Sequence, residues 1–115
     1  MRIGRIEDAL PEGHFDLVVA ALVVHHVRGE EKAELFGRVR SLLRPGGRLV
    51  VADVVVPEHR EDAITPLSSE YDHPSSVADQ LIWLERVGLA PTVTWSRRDL
   101  VVIAADRHPQ EPFDG

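Results

Sequence analysis

Cysteine is absent from this 115-residue sequence, which excludes disulfides and thiolate metal sites and fits a reducing compartment. Nothing approaches the ~20 consecutive apolar residues that a membrane-spanning helix needs. The opening stretch, Met1 to Asp8, also lacks the apolar core of a signal peptide. Excess positive charge is missing too: the formal net charge is −6, which disfavours phosphate backbones and anionic membrane surfaces. A small molecule or another protein is therefore the expected partner, not nucleic acid or membrane, and the cytoplasm the expected location. Lys32 is the single lysine among 13 Lys and Arg residues. There is no internal repeat and no low-complexity tract. The glycines, at 4, 13, 29, 37, 46, 47, 88 and 115, form no G-x-G cluster after a strand.

What remains is the composition of an ordinary globular domain, 43% hydrophobic and 28% charged. At this length one domain is expected, burying roughly two-thirds of the surface that the unfolded chain exposes. Phe15-Asp16-Leu17-Val18-Val19-Ala20-Ala21 has almost no polar interruption and reads as a strand buried on both faces, as in a parallel sheet covered by helices. From Glu30 to Leu43 the apolar residues Ala33, Leu35, Phe36, Val39, Leu42 and Leu43 recur at helical spacing, and Pro45-Gly46-Gly47 ends the helix. Arg48 to Val56 reads as a second doubly buried strand, completing a βαβ unit. Residues 2–6 alternate in a short strand-like pattern.

The long polar connection from Pro57 to Pro74 is either a lid over a site or a disordered loop. Ser76-Val77-Ala78-Asp79 resembles a capping box opening a second helix that Gly88 closes. Thr92–Ser96 and Leu100–Ala105 are too close in sequence for a crossover, so they must form an antiparallel hairpin. The expected domain runs over 1–107, with 108–115 as a disordered tail.

This order, together with Phe15-Asp16-Leu17-Val18-Val19, the pair His25-His26, Leu42-Leu43-Arg44-Pro45-Gly46-Gly47-Arg48-Leu49-Val50 and Trp83-Leu84-Glu85-Arg86-Val87-Gly88-Leu89, resembles the C-terminal half of a class I S-adenosylmethionine-dependent methyltransferase. The resemblance implies a partial Rossmann-like α/β fold, with parallel strands, two main helices and a C-terminal hairpin. It also implies S-adenosylmethionine as cofactor and a small-molecule methyl acceptor. The family's Gly-rich cofactor loop and the acidic residue ending its second strand would precede everything seen here. By resemblance residues 2–6 are the family's third strand, and a start site set too far downstream or a natural fragment would both give such a chain. On its own it is expected to bind the cofactor weakly or not at all.

Carried over residue by residue, the resemblance places Arg5 and Ile6 by the adenine, although Arg5 stands where the family often has an aspartate. Ala20, Ala21 and Leu22 fall along the cofactor near its sulfonium. Read from the residues themselves, small side chains at 20 and 21 also fit a helix crossing above the strand. His25 and His26 are an adjacent ionisable pair able to act as general base on an acceptor. Core packing is the competing reading. Metal binding with Asp72 or His73 is disfavoured, because adjacent histidines are expected to point apart. Asp53, inside an apolar run, must be paired or face the site opening, so it either contacts substrate or caps local backbone amides. Tyr71, with Asp72 and His73, could touch substrate, whereas Trp83 and Trp95 read as core or sheet-face residues.

In the family the strand at 15–21 is flanked by strand one. Without that neighbour it becomes an exposed apolar edge, and such edges seek a partner. The expected assembly is a homodimer, through paired 15–21 edges or a swapped N-terminal segment. The alternative to an enzyme half is a non-catalytic, self-associating α/β module. Another doubly wound nucleotide-binding half-domain is a third reading, which the closing hairpin disfavours.

Overall fold

A computed structural model describes residues 3–5, 14–68 and 71–109, the first three by backbone only. Five strands, β1 (Ile3–Arg5), β2 (Phe15–Ala21), β3 (Leu43–Val54), β4 (Leu89–Arg97) and β5 (Leu100–Arg107), form one sheet in the order β1-β2-β3-β5-β4. β1, β2 and β3 run parallel, and β5 joins β3 antiparallel and carries β4 at the far edge. Two helices, α1 (Gly29–Leu42) and α2 (Val77–Arg86), touch each other and the sheet. The expected βαβ unit, second helix and hairpin are all present. Residues 110–115 of the expected tail lie outside the described residues.

The helices follow from their apolar stripes and ends. α1 turns Phe36 and Val39 inward, and α2 buries Leu84 while Val77, Leu81 and Trp83 pack on the same core. The Ser76 hydroxyl accepts a bond from the Asp79 amide at 3.1 Å, the predicted N-cap. Gly88 has φ +91°, and a Cβ there would lie 2.9 Å from Arg40 Nε, so glycine ends α2 for reasons of both backbone and space. The buried Arg107 guanidinium donates to the carbonyls of Arg40 and Leu43 at 3.1 and 2.7 Å, satisfying the C-terminal end of α1.

Three expectations are corrected. Strand β2 is not an edge: its own residues 3–5 pair with 17–19, so the edge falls on β1. Nor are β2 and β3 buried on both faces. The core face carries Val18, Ala20, Leu49, Val51, Val101 and Ile103, while Leu17, Val19, Val50 and Val102 opposite are half-buried, because both described helices lie on one side. Finally, Pro45-Gly46-Gly47 does not separate helix from strand. β3 begins at Leu43 opposite Phe15, bulges through 44–47, and resumes with Arg48 opposite Leu17. Gly47 sits at that bulge, where a Cβ would meet the Arg44 carbonyl oxygen at 2.8 Å.

Candidate functional site

The site lies where parallel strands β2 and β3 end, the place where open α/β sheets bind their ligands. After β2 the chain makes a sharp corner at Leu22, with φ 58° and its amide bonded to the Ala52 carbonyl at 2.7 Å, and enters a short 3-10 turn over Val24–His26. This turn sets His25 inward, 8% exposed, and His26 outward. Asp53, at 2% exposure on the core face of β3, meets His25 twice. Its Oδ2 accepts the His25 backbone N–H at 3.1 Å and its Oδ1 accepts Nδ1–H at 2.5 Å. The Val54 amide adds a third bond, to Oδ1 at 2.7 Å. A carboxylate only accepts, so Nδ1 must carry a proton, and in the neutral imidazole the lone pair is then on Nε2.

The long connection does not hang free over this end. His73 donates its amide to the His25 carbonyl, and the Asp72 carboxylate is anchored through Oδ2 by the Ser68 amide at 2.7 Å. Asp72 Oδ1 faces both histidines, 3.6 Å from His25 Nε2 and 3.1 Å from His26 Nδ1. The rings stand 4.2 Å apart, centroid to centroid, tilted by 40°. Adjacent histidines were expected to point apart. On a 3-10 turn successive residues are rotated by about 120°, and both rings can reach one carboxylate.

Lys32 is a residue that sequence reasoning passed over. It is fully buried on α1, donating Nζ–H bonds to the His73 carbonyl at 2.5 Å and to Ser75 Oγ at 2.7 Å. Burial lowers its pKa below the ordinary lysine value, opposed by the attraction of Asp53. Its signal was positional: Lys32, Phe36, Val39 and Leu43 share helical spacing, so the lone lysine occupied an apolar-stripe position.

The other sequence candidates separate. Ala20 is fully buried in the core, Ala21 is half-buried, and Leu22 is 56% exposed beside the site. Tyr71 precedes Asp72 but turns its ring to solvent. Ile6 and the side chain of Arg5 lie outside the described residues. Trp83 packs on the core and Trp95 lies exposed on the sheet. A cavity of about 450 Å³ opens beyond the C-terminal end of β3, lined in part by Val55, Val56, Val77, Val93 and Leu100; His25 is not among its walls.

Residues 2–49 match a family described as a methyltransferase domain. An uncharacterized methyltransferase of Anoxybacillus flavithermus is 43% identical over 44 residues, 38% of this chain and 21% of that protein. Among solved structures, an O-methyltransferase family protein from Burkholderia thailandensis superposes with a TM-score of 0.68 at 20% identity, over 86% of this chain and 32% of its own. The fold is that of a class I methyltransferase. Human N-acetylserotonin methyltransferase, solved in complex with SAM, gives a TM-score of 0.63 at 21% identity, over 90% of this chain and 32% of the human one. The chain thus has the fold of part of a methyltransferase domain, about a third of the length of these structural relatives. Among its described residues no helix is long and apolar enough to cross a membrane.

Proposed function

We propose that this chain is the acceptor-side half of an S-adenosylmethionine-dependent methyltransferase acting on a small-molecule acceptor, with His25 as the general base and Asp53 as its positioning partner. The observation that carries this reading is the double grip of Asp53 on His25, which fixes the tautomer that leaves Nε2 basic at the carboxyl end of the sheet. S-adenosylmethionine supplies the electrophilic methyl group in the complete domain. With the cofactor held by the complete domain, its sulfur–methyl bond would break as the acceptor oxygen or nitrogen bonds the methyl carbon, the neutral thioether would leave, and His25 Nε2 would take the acceptor's proton, the resulting imidazolium being balanced by Asp53. The lack of any cysteine supports a cytoplasmic setting.

The Gly-rich loop that approaches the methionine part of the cofactor in this family is not in the sequence, so the chain alone should bind the cofactor poorly. Isothermal titration with S-adenosylhomocysteine tests this: no micromolar binding is expected, and such binding would overturn it. The base role is tested by fusing a Gly-rich first half ahead of Arg2. There His25→Ala should slow methyl transfer by about 10²–10⁴-fold, and an unchanged rate would remove His25 from the chemistry.

A second reading, a self-associating module, is favoured by the sheet's edge. Among the described residues three of β1 pair with β2, and the sheet face carrying Leu17, Val19, Val50 and Val102 is half-buried. Exchange of residues 3–5 between two copies would give the expected homodimer. Light scattering at micromolar concentration decides: a single monomeric species would exclude it.

A further inference from the structure

Three potential metal ligands meet at one point above the sheet: His25, His26 and Asp72 offer atoms that all lie within 4.8 Å of one another. We infer that they form a three-ligand site for a borderline divalent cation, with Zn²⁺ the best fit. Donor chemistry, spacing and the bonds that hold the three side chains all fit such an ion, independently of methyl transfer.

The donor set is two imidazoles and a carboxylate, the mixture that zinc accepts while keeping an open position for water or another ligand. The spacing fits: tetrahedral bonds of about 2.0–2.1 Å put neighbouring ligand atoms roughly 3.3–3.4 Å apart. Asp72 Oδ1 stands 3.6 Å from His25 Nε2 and 3.1 Å from His26 Nδ1, on either side of that value. The third edge, His25 Nε2 to His26 Nδ1, lies within 4.8 Å.

The surroundings are those of a held ligand set. Asp53 accepts Nδ1–H of His25 from below, the carboxylate–histidine arrangement that orients a metal-binding imidazole and raises its basicity. Asp72 is fixed through its other oxygen by the Ser68 amide, which leaves Oδ1 for the rings. Lys32 Nζ donates to the His73 carbonyl and the His25 carbonyl accepts the His73 amide, tying the loop that carries Asp72 to the turn that carries the histidines. A cation here would occupy the same Nε2 lone pair that a general base needs, so metal occupancy and base catalysis exclude each other at any instant.

The test is titration of tag-free, chelator-treated protein with Co²⁺, followed by Zn²⁺. One equivalent of Co²⁺ should produce the intense visible bands of a tetrahedral centre, and Zn²⁺ should bleach them. His26→Ala removes an exposed side chain without disturbing the core and should weaken Co²⁺ binding at least tenfold. Asp72→Ala should do the same. Asp53→Asn, which touches no metal, should lower affinity by about 10–100-fold. His59→Ala, at the far end of the same connection and outside the ligand set, should change nothing. Pale spectra of a fully hydrated ion, binding undiminished in His26→Ala, or equal loss in His59→Ala would each overturn the site. If Asp72→Ala fails to fold by circular dichroism, His26→Ala decides alone.

Discussion

Two aspartates at this end of the sheet are equally buried, at 2% exposure each, yet they are put to different uses. Asp99, between β4 and β5, meets only donors that cannot titrate: Oδ2 accepts the Thr65 amide at 2.7 Å and Oδ1 accepts the Thr65 hydroxyl at 2.9 Å. Burial pushes its pKa up, but these bonds and those from its own and the Ile64 amide outweigh it, and the carboxyl sits below the ordinary value. Asp53 also takes backbone amides, but its remaining partner is an imidazole whose second nitrogen points at Asp72. A carboxylate surrounded by amides and hydroxyls closes a loop. One that holds a histidine prepares that histidine for a proton or a metal.

The comparison breaks most forcefully at Asp53. Asp53→Ala leaves the His25 and Val54 amides and the His25 Nδ1–H without their acceptor, each a buried donor costing about 1–3 kcal/mol. Partial relaxation should hold the total loss to about 3–5 kcal/mol, a large share of the roughly 5–15 kcal/mol a domain has. Urea unfolding measures it. Asp53→Asn should recover part of the stability without recovering Co²⁺ affinity, since an amide can accept from backbone but holds the imidazole less firmly.

Asp99→Asn is expected to cost less, about 1–3 kcal/mol, and to leave Co²⁺ binding untouched. It should also flatten the acid limb of the stability curve. With the folded-state pKa below the ordinary 3.8, Asp99 contributes stability that is complete above that value and lost as pH falls through the folded pKa. A chemical-denaturation series from neutral pH down to about 2 should show that slope in the parent and a reduced slope in Asp99→Asn. An equal slope would mean that Asp99 is no more tightly bound than an exposed carboxylate.

Much of this was legible in the residues. The apolar run from Phe15 and the stripe Phe36-Val39-Leu43 dictated a βαβ unit, and the three-residue gap Arg97-Arg98-Asp99 allowed only a hairpin. Asp53 and the two histidines stood out as ionisable groups set in valine. What stayed hidden were facts set by contacts distant in sequence. That Asp72 would face both rings depends on a 3-10 turn and on a loop pinned by Ser68 and His25. The pairing of residues 3–5 with 17–19 depends on which strand edge is available, and the bulge at 44–47 on the Phe15 backbone passing close to Gly47. Asp99 read as one more turn residue, because nothing local announces that Thr65 will reach it.

Lys32 offers the finest separation of the two ends. Its ammonium bridges α1 to the loop beside Asp72, whereas the Asp99 clamp contains no side-chain charge other than its own. Lys32→Met leaves the His73 carbonyl and the Ser75 hydroxyl without their donor but also removes the cost of burying a charge, and the two effects oppose each other. The change should instead appear at alkaline pH. Because burial holds the folded-state pKa below 10.5, the unfolded chain binds more protons between the folded value and 10.5, and the parent should gain stability as pH rises through that window. Lys32→Met should lack that gain. It should also loosen the 71–75 loop enough to weaken Co²⁺ binding several-fold, while Asp99→Asn leaves it unchanged. Equal Co²⁺ affinity in the two variants would mean that Asp72 is held in place by Ser68 and His25 alone.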